Sequence, residues 1–315
     1  MPVLGERRPS LARRFLAYQR VRFPLAGLVP LLALFTFSST AFSRRARGVT
    51  GFVPLERFAV GAFTALVIFF VLRVLDEHKD AAVDRRYRPE LPVPSGVMGL
   101  DELRKIGGGA ATVAVLLNLW AAPALLLPLA AVAAWAFLMT REFFVSDWLR
   151  AHPAAYLVTH MAIMPLVDAY TTGIDWLAAG VPPPRGLGWF LAVTFANGVL
   201  IEIGRKIREP GAEREGVDTY TKAWGLRVAP GVWLATLAAS ALLAWGAAHH
   251  TGTASLAAPI LLALALLCAW PALSFVRAPA ARAARLVDAA SQAWPAFTYL
   301  VLGAMPFAVG ASSRS

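Results

Sequence analysis

Leu75-Asp76-Glu77-His78-Lys79-Asp80-Ala81-Ala82-Val83-Asp84 begins where a long apolar segment stops, and it runs on into Arg85, Arg86 and Arg88. If the preceding helix continues, Asp76, Asp80 and Asp84 stand at i, i+4 and i+8 and share one helical face. Three carboxylates so placed repel one another, and a cation between them relieves the repulsion. A hard, oxygen-only donor set points to Mg²⁺, which commonly bridges protein carboxylates to substrate phosphates. A second acidic stretch, Glu202, Glu209 and Glu213, follows at spacings of seven and four, again at the end of an apolar segment. One such cluster alone reads as a solvated helix end. Two in equivalent settings, each mixed with Arg and Lys, point instead to a metal diphosphate bound at a membrane surface.

The composition around these stretches is that of a membrane protein. Of 315 residues, 58% are hydrophobic and 16% charged, far from the balance of a soluble domain. The chain reads as a single integral membrane domain, 1–315, with a basic cytoplasmic segment over 1–22 and active-site connections over 76–106 and 203–227. The first 22 residues carry six Arg and no short apolar core before a small-residue cleavage site. A cleaved signal peptide is therefore not expected, and the first spanning helix serves as the insertion signal. The lone Cys268 lies in an apolar run and reads as a small buried hydrophobe, which leaves no disulfide or cysteine-based metal site within the chain. The net charge of +11 comes without any nucleic-acid motif, so orientation in the membrane accounts for the basic residues and no nucleic-acid partner is expected.

At about 20 apolar residues per span, nine segments can be placed: 23–43, 55–75, 107–121, 123–140, 152–172, 187–204, 228–247, 254–276 and 288–311. The run over 107–139 is divided at Ala122-Pro123, because proline disfavours helix in the residue before it. With the N-terminus cytoplasmic and the C-terminus outside, 24 of the 30 Lys and Arg fall inside. Outside are only Arg44, Arg45, Arg47, Arg57, Arg185 and Arg314, as the positive-inside rule requires. Arg44, Arg45 and Arg47 are its one local violation. Both acidic stretches then face the cytoplasm, and the acids are concentrated there: of 19, seven lie between Asp76 and Glu102 and five between Glu202 and Asp218. The tail from Ala311 to Ser315, small and polar, is expected to be unstructured.

These residues resemble a known family. Asp76-Glu77-His78-Lys79-Asp80-Ala81-Ala82-Val83-Asp84 is similar to the first signature of the UbiA superfamily of intramembrane prenyltransferases, NDxxDxxxD, with Asp76 in place of Asn and Glu77 in place of the first Asp. Arg88-Pro89-Glu90-Leu91-Pro92-Val93-Pro94-Ser95-Gly96 resembles the family's RPLPSG element with two residues added. Arg20-Val21-Arg22-Phe23-Pro24 is similar to its Arg-x-x-x-Pro opening. In the second signature Glu209-Pro210-Gly211-Ala212-Glu213 takes the place of DxxxD, Glu202 that of the acid upstream, and Gly216 with Thr219 that of the tail. The resemblance covers nearly the whole chain. It implies an all-α, polytopic fold of nine transmembrane helices around a central cavity, in a bacterial or archaeal cell membrane.

The same resemblance implies a chemistry. A prenyl diphosphate ionises at its allylic carbon, and a hydrophobic acceptor, aromatic or lipid-like, attacks the electrophile left behind. Metals and cationic side chains lower that barrier by stabilising the departing diphosphate. On this reading Asp80, Asp84, Glu209 and Glu213 hold Mg²⁺, with Asp76 and Glu202 assisting directly or through water, and these six form the catalytic set. Arg22, Arg88, Arg150 and Lys206 are candidate diphosphate contacts, among them Arg88 carried by the RP element; a lipid-headgroup role is open for the others. Within the membrane Asp168 is costly and a candidate for function. His160 and Asn197 are candidates for lining the acceptor pocket or for bonding between helices. Two features of the second stretch point elsewhere: Pro210 and Gly211 interrupt a helix there, and Lys206 and Arg208 supply cations that could meet the diphosphate directly. Cyclisation of the ionised chain, as in a membrane terpene cyclase, and metal binding without catalysis, as in a divalent-cation permease, are the alternatives.

Overall fold

The structure, a computed structural model, describes residues 9–312. The first eight residues of the basic segment and the last three of the expected unstructured tail lie outside the described residues. Every regular element among those described is helical. Seven helical stretches are long and apolar enough to cross a membrane: α2 (Leu25–Ala46), α3 (Leu55–Lys79), α6 (Leu126–Thr140) with the 3₁₀ turn Pro123–Leu125 before it, α10 (Leu187–Gly204), α12 (Val228–His249), α13 (Ala254–Arg277), and α14 (Ala281–Tyr299) continued by α15 (Met305–Ser312). The two remaining expected spans, 107–121 and 152–172, are helical as well. The first lies in α5 (Leu100–Ala121), which starts seven residues earlier, and the second is divided into α8 (Pro153–Met161) and α9 (Ile163–Gly173). Short helices fill the connections: α1 (Leu11–Arg22), α4 (Ala81–Tyr87), α7 (Ser146–Ala151) and α11 (Tyr220–Trp224).

Proline sets most of the breaks. Helix α5 stops at Ala121, one residue before the Ala122-Pro123 step at which the long apolar run was divided. Pro165 has no N–H for the carbonyl of Met161, and the chain kinks between α8 and α9 at Ala162. Pro306 likewise leaves Leu302 without its partner, and Leu300–Ala304 widens into a π turn. Gly303 in that turn lies directly on the backbone of Ser38, where any side chain would collide with α2.

Large apolar side chains on the outer faces stay exposed, as lipid contact demands: Trp120, Leu127, Leu242, Leu266, Leu267 and Trp270. Polar side chains inside are spent on one another. Asn197 on α10 donates to Thr298 on α14 at 2.9 Å and accepts from Ser240 on α12 at 3.0 Å, and Ser240 in turn accepts from the Trp294 indole at 2.9 Å. Such bonds contribute roughly 0.6–2 kcal/mol each within a bilayer, and they clamp three helices together. Asn197 therefore takes the helix-bonding role of the two left open. Between α2, α3, α9 and α14 lies a cavity of about 10 Å³ lined by Leu32, Phe35, Phe69, Asp168 and Tyr299 among others, room for about one water. The Phe35 and Tyr299 rings, stacked at 4.4 Å, fill the space beside it.

The two ends of the bundle differ. At the end where α2 finishes, Asp175 is buried and receives Ser43 Oγ at 2.7 Å, Arg44 Nη1 at 3.1 Å and Arg47 Nη1 at 2.9 Å. Arg44 also donates to the carbonyls of Thr50 and Gly51. Two of the three arginines that violate the charge rule, Arg44 and Arg47, are thus neutralised or bonded to local backbone, whereas Arg45 Nε is buried without a hydrogen-bond partner. Both acidic stretches lie at the opposite end.

Candidate functional site

Helix α3 carries the first stretch and passes through a joint at Asp80 (φ −91°, ψ 1°) into α4. The joint does not lose register: the amides of Asp80, Asp84 and Arg88 donate to the carbonyls of Asp76, Asp80 and Asp84, each at 2.8 Å. Spacing by four thus survives from Asp76 to Arg88, as the sequence implied. The surroundings of the three acids nonetheless differ. Asp84 is buried, with Arg22 Nη2 at 3.6 Å and Arg88 Nη1 at 3.5 Å. The Asp76 side chain is about half exposed (53%) and has Arg73 at 3.8 Å. Asp80 lies between. Burial pushes its carboxyl pKa up and the nearby Asp84 charge adds to this, with Lys79, Arg88 and Arg22 only partly offsetting them.

Glu77, next to Asp76, points elsewhere. It is buried against α1, where Arg22 Nε donates at 2.5 Å and the Tyr18 hydroxyl at 3.3 Å. Burial and the Glu77 charge raise the Tyr18 phenol well above its usual range, so it stays a donor. Arg14 grips Glu102 of α5 with two bonds of 2.6 Å. Helix α1 is therefore a clasp of basic residues across the ends of α3 and α5.

The second stretch leaves the helix where its chemistry begins. Glu202, in the last turn of α10, is buried and holds Arg205 Nη2 at 2.5 Å and Lys206 Nζ at 2.8 Å. After Gly204 the chain opens, makes one 3₁₀ turn over Pro210–Ala212 and returns to α11, with Glu209 and Glu213 both in extended backbone. The spacing of seven and four does not place these acids on one helical face, because α10 ends at Gly204, before Glu209 is reached. Glu213 accepts from the Thr219 hydroxyl at 2.7 Å and from the Thr221 hydroxyl at 2.8 Å.

The fold brings the stretches together. Asp76 and Arg205 lie within each other's electrostatic reach. Gly216 has a φ of +71°, and a Cβ there would lie 2.5 Å from the Tyr87 ring at the end of α4. Tyr156 at the start of α8 stands between one lysine from each stretch: its hydroxyl accepts from Lys79 at 3.0 Å, and Lys206 sits 5.8 Å from its ring centroid. Lys79, Tyr156, Arg205 and Glu142, the last paired with Lys79 at 2.8 Å, are site residues that sequence reasoning did not single out. Lys79 and Arg205 are adjacent to the motif acids, which is a signal of position only, and no spacing pointed to Tyr156 or Glu142.

Other candidates fall as follows. Arg22 is tied to Glu77 and Asp84, Lys206 to Glu202, and Arg88, partly exposed at its end of α4, more loosely to Asp84. Arg150 is exposed on α7. Asp168 is buried, accepting from Ser39 at 2.8 Å, from Thr171 and from a very close Tyr299 hydroxyl. His160 is buried and stacked on Tyr156 at 3.7 Å. Its Nδ1 faces the Tyr156 carbonyl at 2.9 Å and so carries the hydrogen, which leaves the Nε2 lone pair without a protein partner.

Among the described residues no group of three or more His, Cys, Asp or Glu converges to hold a metal by itself. The six carboxylates named from the sequence are not gathered round one point: Asp84 and Glu202 are compensated by cations and Glu213 by hydroxyls. Of the remaining three, Asp76, Asp80 and Glu209, the first two stand one helical turn apart and fit Mg²⁺ in that ion's usual manner, with one or two carboxylates and the shell completed by phosphate and water. Under-compensation at Asp80 is the local sign of it.

No protein-family model matches the sequence, and no curated protein matches it. The fold is similar to that of a solved structure concerned with digeranylgeranylglyceryl phosphate synthase in membranes, at a TM-score of 0.63 and 12% identity, covering 94% of this chain and 99% of the other. The chain thus shares an all-helical fold, with stretches long and apolar enough to span a membrane, with that structure.

Proposed function

We propose that this protein is an intramembrane prenyltransferase, moving a prenyl group from a prenyl diphosphate to a hydrophobic acceptor, aromatic or lipid-like, with Mg²⁺ as cofactor. The observation that carries this reading is the meeting of the two charged stretches, more than a hundred residues apart, at one end of an apolar bundle. The fold it shares with a membrane synthase supports it.

In this mechanism Asp76 and Asp80 would hold the metal, and Asp84 positions Arg22 and Arg88 around them. When bound, Mg²⁺ neutralises charge that builds on the leaving diphosphate. Arg205 and Lys206, oriented by Glu202, and the partly exposed Arg88 supply the remaining positive charge to the phosphate oxygens. Glu213 fixes the 209–219 loop through Thr219 and Thr221, and Glu209 stands half-buried at the start of that loop. His160 lies on the acceptor side. With the basic residues counted as inside, this end of the bundle faces the cytoplasm.

A permease should carry acids along a path through the bilayer. Here they crowd one end, and the deep Asp168 is saturated by hydroxyls, which favours the enzyme. The test supplies the purified protein in nanodiscs with prenyl diphosphates of several lengths, with and without membrane extract. Pyrophosphate release that depends on Mg²⁺ and on extract, with a prenylated product, is expected. Release without extract, giving a cyclic hydrocarbon, would replace transfer by cyclisation, and no release from any donor would end the enzymatic reading.

A further inference from the structure

Between α6 and α7 the backbone takes a shape that its residues resist. Glu142, Phe143 and Phe144 have φ of 49°, 52° and 61°, the only non-glycine residues among those described with left-handed values. Side-chain-bearing residues disfavour that region and rarely occupy it in succession. The turn delivers one contact to the site, the Glu142 carboxylate on Lys79 Nζ at 2.8 Å.

Lys79 and Lys206 flank the same phenol, and each has its own carboxylate. Glu202 reaches Lys206 from the preceding turn of its own helix end, four residues away. Glu142 comes from a separate loop, and its grip on Lys79 is tied to the strained turn. A diphosphate carries more charge than a carboxylate and more acceptor oxygens for an ammonium group, and any anion that takes Lys79 lets the turn relax.

We propose that Lys79 is a further ligand of the donor's diphosphate and that Glu142 is a built-in competitor for it, released when phosphate oxygens take the lysine. The inference rests on the diphosphate reading of the site given above. It extends to the acceptor side, because Phe143 packs edge-on 6.0 Å from the His160 ring and 5.3 Å from Trp135. Relaxation of the turn moves the ring that covers His160, so donor binding precedes and opens the acceptor side.

Inorganic pyrophosphate, titrated by calorimetry into the full chain in nanodiscs with and without Mg²⁺, tests this. Glu142→Gln is expected to bind it about fivefold to tenfold more tightly than wild type in both conditions, and the gain should vanish in Glu142→Gln/Lys79→Met. Phe144→Gly, at an exposed side chain, removes strain from the turn, favours the Glu142 contact, and should weaken binding, a change of opposite sign. If wild type binds with Mg²⁺ and neither Glu142→Gln nor Phe144→Gly shifts the affinity, this inference alone is overturned. If neither wild type nor Glu142→Gln binds with Mg²⁺, the diphosphate reading falls and the inference with it.

Discussion

The two acidic stretches hold similar residues and use them differently. In the first, the helix carries on through its joint, and regular i to i+4 bonds present Asp76, Asp80 and Asp84 in sequence, with positive charge insufficient for Asp80. In the second, the helix ends at Gly204, and the acids serve their neighbours: Glu202 orients Arg205 and Lys206, and Glu213 ties down a loop. Acids that lack enough partners can take a metal, and acids already saturated cannot without giving something up. The first stretch is thus the metal side of the proposed site and the second the cation side.

The largest expected effect tests the metal side. Asp80→Asn should lower turnover by about 100-fold or more, equivalent to about 2.7 kcal/mol of barrier, while the protein remains folded by circular dichroism. Turnover within a few-fold of wild type at ordinary Mg²⁺ would leave the comparison without its first term.

The cation side is tested by pyrophosphate affinity in the presence of Mg²⁺. Lys206→Ala is expected to lose about tenfold, a charged hydrogen bond of roughly 1.5–3 kcal/mol, whereas Glu209→Gln/Glu213→Gln should stay within about threefold and keep its Mg²⁺ dependence. A double Gln variant that binds pyrophosphate no better with Mg²⁺ than without would return those glutamates to the ligand set and erase the contrast.

Contact between the stretches can be loosened separately. Gly216→Val puts a branched side chain at φ +71° and against Tyr87, which should cost about 1–2 kcal/mol and lower activity a few-fold through a shifted loop. Thermal unfolding and turnover measured together check it; full activity with unchanged stability would mean that the 209–219 loop is not held by α4.

The smallest effect concerns pH in Mg²⁺-free buffer. Asp80 has a raised pKa in the fold, so its contribution favours the folded state below the unfolded carboxylate range and is lost as pH rises through the folded value. Asp80→Asn should therefore melt at a higher temperature than wild type near neutral pH, and the gap should close on acidification. A gap that stays constant with pH would show that Asp80 is well compensated, and with that the case for a metal there weakens.

Much of this molecule was legible in its residues. Apolar runs of about 20 residues have few alternatives to membrane helices, and Ala122-Pro123 located a break because proline acts on its own neighbours. Spacing by four predicted the common side of Asp76, Asp80 and Asp84 because α-helical geometry is local. For Glu202, Glu209 and Glu213 the spacing was misleading as geometry, because α10 ends at Gly204; Pro210-Gly211 told only that no regular helix runs on through Glu213. The pairing of Arg44 and Arg47 with Asp175 was not, since nothing in a sequence says which buried acid a distant arginine will meet.

What the sequence determined by itself was therefore what depends on near neighbours: helices, breaks, the membrane, and the existence of two charged stretches. Only the tertiary structure decided which acids are already satisfied and which are not. It put Arg22 on Glu77 and Asp84, Lys79 on Tyr156 and Glu142, and Tyr87 on Gly216, contacts between residues that chain order keeps far apart. A carboxylate's readiness for a metal depends on the charges and hydroxyls within a few ångströms of it, and those are set by how the helices pack.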